Sequence, residues 1–385
     1  MHLFDLCIHA IIFFHLSLSG EKWFGIPGAE RNALNISTPM NLYIPSQNKN
    51  PLRLGFVPLC DAAPFLLAQE MDLFSKHGVD VCLSRELGWA SIRDKMATGE
   101  LLAAQAIAGL PFAAKPQHKR FIAPLVTSLQ GNAITISKEY RHEIDQAPRA
   151  ILKNHKSRKL SRLPTFAIVS RYSSHHMLMR SWLRSGGINP DTETNLVVLP
   201  PTQMVYHLKA GHIDGYCAGE PWNSVGIMSG CGFCVATSAE LSPYHPEKVL
   251  MMSESFWKED QERSERLMTA IIEACQMCGD DTHLEYISSV LSRHDYLNLS
   301  PEILFNALKG HILRKNNPSL DASREFIFFS GDEVNSPSQR KRSWIQQGLV
   351  ESGVLQQKIS TEKNIFREDI YQQVTCSKET ASADR

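Results

Sequence analysis

The chain has 385 residues, 43% of them apolar and 21% charged, which is ordinary globular composition and enough for one large or two medium domains. Its 40 Lys and Arg balance 40 Asp and Glu, so no charge footprint for nucleic acid or an acidic membrane is present. No run of about 18 apolar residues occurs, and no transmembrane helix is expected.

The N-terminal segment has two readings. Leu6 to Ser19 is apolar enough for a signal-peptide core, but no Lys or Arg precedes it, and Asp5, His9 and His15 interrupt the pattern. Residues 1–39 are therefore either a weak signal peptide with a linker or upstream sequence before a start near Met40. The first reading places the protein in the periplasm or at the cell membrane, the second in the cytoplasm. Nine cysteines is an odd number, and Cys82 and Cys217 sit in apolar runs that suit buried thiols.

The folded region is expected from Leu52. Arg53 to Val57 reads as a strand, Asp61 as a helix cap, and Leu67, Met71 and Phe74 as one buried stripe. Gly78 stops that helix, and Val79 to Leu83 is the next strand, which makes a parallel unit. Residues 138–163 are basic and helix-compatible, with a solvated face as their plain role. Further on, Glu262 to Met277 and Pro301 to Leu308 (with Ser300 as cap) read as helices. Residues 315–340 read as polar loop, and residues 375–385 as a disordered tail.

An internal near-repeat carries the organisation. Residues 89–111 (WASIRDKMATGELLAAQAIAGLP) and 201–222 (PTQMVYHLKAGHIDGYCAGEPW) both give a helix, a Gly stop at Gly99 or Gly211, and a small-residue strand running into a Gly-containing loop. Each follows a strand. Two α/β lobes of like build would share a cleft beyond their strand ends. It would be lined by Gly88–Trp89, Ala108–Pro111, Ser173–His175 and Gly219–Trp222.

Catalytic signatures are missing from the sequence. Neither phosphate-loop pattern, no G-x-S-x-G elbow and no H-E-x-x-H occurs. The pairs Cys231/Cys234 and Cys275/Cys278 lie farther apart than the roughly 15–20 residues of a zinc ribbon and read as buried thiols. His176 is expected to face solvent. No metal and no cofactor are expected. The strongest motif is Gly219-Glu220-Pro221-Trp222-Asn223, whose backbone N–H groups suit an anion. Glu220 is out of place there and needs a cation, for which Lys248 is the candidate.

On these residues the chain resembles the nitrate- and bicarbonate-binding family of ABC-transporter solute receptors and its cytosolic nitrate/nitrite sensors. The similarity runs from about Leu52 to Tyr371 through LRLGFVPLCDAAPFLLAQE, LSRELGWASIRDKM, GLPFA, SLQGNAITIS, SWLRSGGINP, VVLPPTQMV, GEPWN, HPEK and FREDIY. The resemblance implies a two-lobed α/β fold of the periplasmic-binding-protein kind (type II), with a hinge near Thr135–Ser137 and Val235–Thr237. Lobe 1 would comprise 52–137 plus 235–374, and lobe 2 would comprise 138–234. The ligand-binding set it implies is Trp89, Asn132, His175, Gly219 and Lys248, with Glu220 in the same loop. The ligand would be nitrate or nitrite, taken without calcium because Lys248 stands where the bicarbonate branch has an acidic residue. Partners would be transporter permease and ATPase subunits or, for a sensor, a cytosolic regulator; bicarbonate binding and a thiamine-precursor biosynthetic enzyme of similar lobed fold are the further alternatives, and the enzyme would want an active-site His or Cys cluster that the sequence does not show. Asn132 departs from the Gln of many nitrate receptors, and Tyr172-Ser173-Ser174-His175 from a Gly-Thr-His run.

Overall fold

Local rules place the first strands much where the sequence puts them. The computed structural model describes residues 51–113, 120–140, 148–149, 162–314, 317–322, 326–356 and 364–383. The first 39 residues and most of the basic segment 138–163 lie outside these. Strand β1 is Leu52–Phe56, helix α1 is Ala63–Glu70 and strand β2 is Val81–Arg85. Gly78 ends the helical stretch in the left-handed region (φ 68°). Helix α2 (Trp89–Thr98) stops at Gly99 (φ 82°), and β3 (Ala103–Ile107) follows. Strands β4 (Phe121–Gln130) and β5 (Asn132–Ser137) come next, then β6 (Thr165–Ile168), α3 (Ser174–Ser185), β7 (Asn195–Val198), α4 (Pro201–Lys209) and β8 (Gly215–Gly219). Helix α5 (Trp222–Met228), β9 (Gly232–Thr237) and β10 (Pro246–Ser253) lead to α6 (Gln261–Cys278) and α7 (Pro301–Leu308). The chain closes with β11 (His311–Arg314), β12 (Asn317–Ala322), β13 (Ile327–Phe328), α8 (Gln339–Glu351) and α9 (Glu368–Ala383).

The strands form two sheets, one of order β13-β4-β10-β3-β1-β2 and one of order β12-β11-β9-β5-β8-β6-β7. Their cores match. In the first, β1 pairs parallel with β2 and β3, and β3 pairs antiparallel with β10. In the second, β6 pairs parallel with β7 and β8, and β8 pairs antiparallel with β5. The near-repeat is therefore a repeat of structure, with α2–β3 equivalent to α4–β8. Helices α1 and α6 cover the first sheet over a continuous apolar core, and Leu267, Ile271 and Ala274 make the buried stripe of α6. Phe166, Leu178, Trp182 and Leu183 pack the second. Among the described residues no helix is long and apolar enough to cross a membrane.

Several expectations change. The positions proposed as a hinge lie inside β5 and β9, which are paired over their whole length in the second sheet. The chain changes sheets instead at Gln130-Gly131, both in the left-handed region (φ 60° and 85°), and after Thr237. It re-enters the second sheet at β11, and β12 follows within the stretch read as polar loop. The first helical stretch breaks at Asp72 (φ 52°), which turns Met71 outward to 40% exposure and off the stripe. Asp61 caps nothing: the N-cap residue of α1 is Ala62, without a side-chain bond. The expected tail is helical to Ala383, because no Gly or Pro interrupts it and Ile370, Tyr371 and Val374 anchor its first turns in the core. The cysteines of both C-x-x-C pairs are buried, and none of the four is in a disulfide.

Candidate functional site

Lobe 1, the unit of the first sheet, contributes charge. Lys248 near the start of β10 is fully buried. Its Nζ lies 2.7 Å from Asp61 Oδ2 and 2.6 Å from Glu247 Oε1. Neighbouring residues of a regular strand point to opposite faces. Here the β10–β4 register shifts on both sides of Lys248, and such an irregularity re-aims side chains. It lets Glu247 and Lys248 meet in one cluster. Gln105 of β3 fixes Asp61: its Nε2 donates to Asp61 Oδ1 (2.7 Å), while its Oε1 accepts from Val57 N (3.0 Å).

The charges are graded by their surroundings. Burial pushes the Asp61 carboxyl up to about 6, against the pull of Lys248. Burial also acts upward on Glu247, but Lys248 and His175 outweigh it and hold that carboxyl well below the usual range. Burial works against the Lys248 ammonium, yet its two carboxylates raise it above the ordinary lysine value. Lys248 is thus a cation and Glu247 an anion at neutral pH.

Lobe 2 contributes neutral hydrogen-bonding groups. Ser173 caps α3, its Oγ accepting from His176 N (3.3 Å), which brings Ser174 and His175 to the cleft. Ser174 Oγ donates to Glu247 Oε2. Asn132, at the start of β5, donates from Nδ2 to Glu247 Oε2 (2.7 Å). Its Oδ1 faces His175 Nε2 at 2.8 Å, so that nitrogen carries a hydrogen. His175 Nε2 also lies 3.3 Å from Glu247 Oε1. His245, just ahead of β10, turns Nδ1 to the Ser242 carbonyl (2.9 Å) and Nε2 toward Glu247 Oε2 (3.3 Å). Gly219 leaves room at the centre: a Cβ there would sit 3.4 Å from both Asp61 Oδ2 and Asn132 Oδ1.

Trp89, the first residue of α2, forms the wall. Lys248 Nζ stands 5.4 Å from its ring centroid, a cation–π arrangement. Trp89 Nε1 and His175 Nδ1 are both buried without a hydrogen-bond partner. The two lobes touch around this point. Cys60 N donates to Glu220 O (2.8 Å), and Trp222 Nε1 donates to Pro58 O (3.1 Å). Gly109 approaches Tyr172 so closely that a Cβ would lie 2.0 Å from its carbonyl oxygen.

Of the six residues singled out from sequence, Trp89, Asn132, His175, Gly219 and Lys248 come together. Glu220 does not join Lys248. Its carboxylate accepts from Ser224 N (3.1 Å) in its own loop and helix, and burial pushes it up to about 7. Its backbone N–H is committed to the Gly131 carbonyl (3.1 Å) and is not available to an anion. His176 is buried, with Nδ1 at 3.0 Å from the Arg171 carbonyl, and burial lowers it to about 4. Sequence reasoning missed Asp61, Gln105, Ser174, His245 and Glu247. Glu247 stands beside Lys248 in HPEK, and that adjacency was the one signal that could have found it. Among the described residues no group of three or more His, Cys, Asp or Glu is set to hold a metal ion.

The arrangement is a buried cluster of charged and polar side chains between two α/β lobes. The NMT1-like family model matches residues 46–292. Similar proteins include the nitrate import ATP-binding protein NrtC of Synechocystis (34% identical over 79% of this chain and 46% of that protein) and its bicarbonate transport ATP-binding protein CmpC (37%, over 78% and 46%). This chain spans about half the length of those relatives. The nitrate/nitrite binding protein NrtA of Synechococcus elongatus is 28% identical over 83% of this chain and 76% of its own. Among solved structures, the periplasmic nitrate-binding protein NrtA of Synechocystis superposes with a TM-score of 0.78 at 22% identity, covering 85% of this chain and 88% of that one, which establishes the two-lobed fold. With the family model covering well over half of the sequence, the chain belongs to the NMT1-like family.

Proposed function

We propose that this protein is the solute-binding part of an ABC importer for a small oxyanion, nitrate or nitrite, and that it binds its ligand without transforming it. The observation that carries this reading is the buried Lys248 ammonium beside two ring nitrogens without partners, Trp89 Nε1 and His175 Nδ1. A buried monoanion is tolerated only when it is paired and hydrogen-bonded. A planar anion held between Lys248 and the Trp89 Nε1–H would meet a cation and a donor at once. The names of the relatives support the ligand class. In this reading the protein works with the permease and ATPase parts of the importer, in keeping with the names of the relatives. A cytosolic regulator does not enter this reading.

Bicarbonate is the second reading, favoured by one feature. Asp61 and Glu247 both accept hydrogen bonds here, and a hydrogen-bearing oxyanion has one to give. Titration calorimetry with nitrate, nitrite and bicarbonate, with and without calcium, separates the two. Nitrate or nitrite should bind without calcium, and Lys248→Glu should abolish binding. Binding of bicarbonate alone, or unchanged nitrate affinity in Lys248→Glu, would refute the nitrate reading.

A further inference from the structure

The cluster holds one negative charge too many for an anion site. Asp61 and Glu247 oppose a single ammonium, so with neutral imidazoles the buried set already carries a net negative charge. Each of the four carboxylate oxygens already accepts at least one hydrogen bond. Asp61 Oδ1 accepts from Gln105 and Oδ2 from Lys248. Glu247 Oε1 accepts from Lys248, and Oε2 from Asn132 and Ser174. A proton on either carboxylate would remove the charge that holds Lys248.

His175 Nδ1 is different. Asn132 Oδ1 fixes the ring hydrogen on Nε2, which leaves Nδ1 with a bare lone pair when the ring is neutral. That atom is buried and without a partner. A bare lone pair repels an anion; a protonated Nδ1 donates to one. We propose that the site takes its oxyanion together with one proton, which His175 carries on Nδ1, and that Glu247 is the residue that imposes this coupling. The proposal rests on the oxyanion reading above.

The charged surroundings agree. Burial works most strongly to lower the basicity of His175; Glu247 opposes it, and Lys248 and His245 act with it. The free ring is thus neutral, and an anion arriving beside it adds the further negative charge that turns it to imidazolium. From the other elements of the site, Asp61 lies on the far side of Lys248, and on the same helix His176 is bonded to the Arg171 carbonyl. Glu220, in the neighbouring loop, is the rival proton acceptor, because burial pushes it up to about 7.

The test is calorimetry of nitrate and nitrite binding to the full chain in buffers of differing ionisation heat, between about pH 6 and pH 8. The expected result is uptake of about one proton per anion, with affinity falling about tenfold per pH unit at the alkaline end. Glu247→Gln keeps the side-chain shape and removes the charge. It should bind more tightly than wild type at the alkaline end, with proton uptake close to zero, while Glu220→Gln should leave uptake intact. Nitrogen-15 spectra of the imidazoles should show the His175 ring, identified by its loss in His175→Gln, turning to imidazolium as nitrate is added. These spectra decide the matter for wild type if Glu247→Gln fails to fold. Anion binding without proton uptake, or uptake lost in Glu220→Gln and kept in Glu247→Gln, overturns the proposal and leaves the oxyanion reading standing. Failure of nitrate, nitrite and bicarbonate to bind at any pH removes both.

Discussion

The two lobes repeat one topology yet bring opposite chemistry to the cleft. Strand β10 of lobe 1 and strand β5 of lobe 2 hold equivalent places, each antiparallel to the third strand of its parallel unit. The first carries Glu247 and Lys248, and with Asp61 it supplies all of the charge that meets at the cluster. The second carries Asn132, and with Ser174, His175 and Gly219 it supplies neutral groups. Glu247 joins them, because lobe 2 sends two side-chain donors to its Oε2. A repeated scaffold thus fixes where the strand ends lie, while the side chains at those ends divide the work: one half holds the charge and the other supplies neutral hydrogen-bonding groups.

The sharpest way to break this division is to remove the cation. Lys248→Ala leaves the Asp61 and Glu247 carboxylates buried without it, and loss of one partner of a buried pair costs roughly 3–5 kcal/mol. Urea unfolding should show that loss, and nitrate binding should vanish with it. A mutant of wild-type stability would mean that the cluster is open to water.

Changes on the neutral side should be milder. Ser174→Ala or Asn132→Ala removes a donor to an ionised carboxylate, a bond worth about 1.5–3 kcal/mol. Nitrate affinity should fall by about tenfold to a hundredfold, since 1.4 kcal/mol is tenfold. Should either variant cost as much as Lys248→Ala, the contrast between the lobes would be lost.

Gly109→Ala tests the approach of the lobes without touching the cluster. The new Cβ would meet the Tyr172 carbonyl, and overpacking of this kind costs about 1–3 kcal/mol. Small-angle scattering with saturating nitrate should report a more open particle than wild type, with weaker binding. Unchanged closure would show that the strand ends alone set the geometry.

The smallest effect is expected at Glu220, which sits outside the charge cluster. Its folded value of about 7 lies above its ordinary 4.5, so the folded state binds more protons than the unfolded one in that window. The resulting stability is present below about pH 4.5 and is lost as pH rises through 7. Asp61, raised to about 6, acts in the same direction from pH 3.8 upward. Glu247, depressed, acts oppositely and loses its contribution as pH falls below its ordinary range. Glu220→Gln should flatten the decline of melting temperature between about pH 5 and pH 7 by a few degrees, at about 2–4 °C per kcal/mol. An unchanged profile would place the Glu220 carboxyl in contact with water.

Much of the fold was legible because it is written locally. The glycine stops at Gly78, Gly99 and Gly211 adopt the left-handed backbone their position demands, and Ser300 caps α7 through Ile303 N. The 3.6-residue stripe on α6 is buried as read. Local rules failed where two outcomes were locally equal. An Asp ahead of a helix suits a cap, and Asp61 was read as one until Lys248, far along the chain, claimed it.

By itself, then, the sequence determined two α/β units, their order of elements, and a set of motif residues of which five meet in space. Only the tertiary structure decided that Lys248 is held between two carboxylates, that Glu220 turns away from it, and that Glu247 shares its cluster. Periodicity counts along one strand and cannot register a shift in the pairing with its neighbours. The irregularity around Lys248 arises from β10 lying between β3 and β4, and it is this that brings an acid and a base, adjacent in sequence, into one buried site.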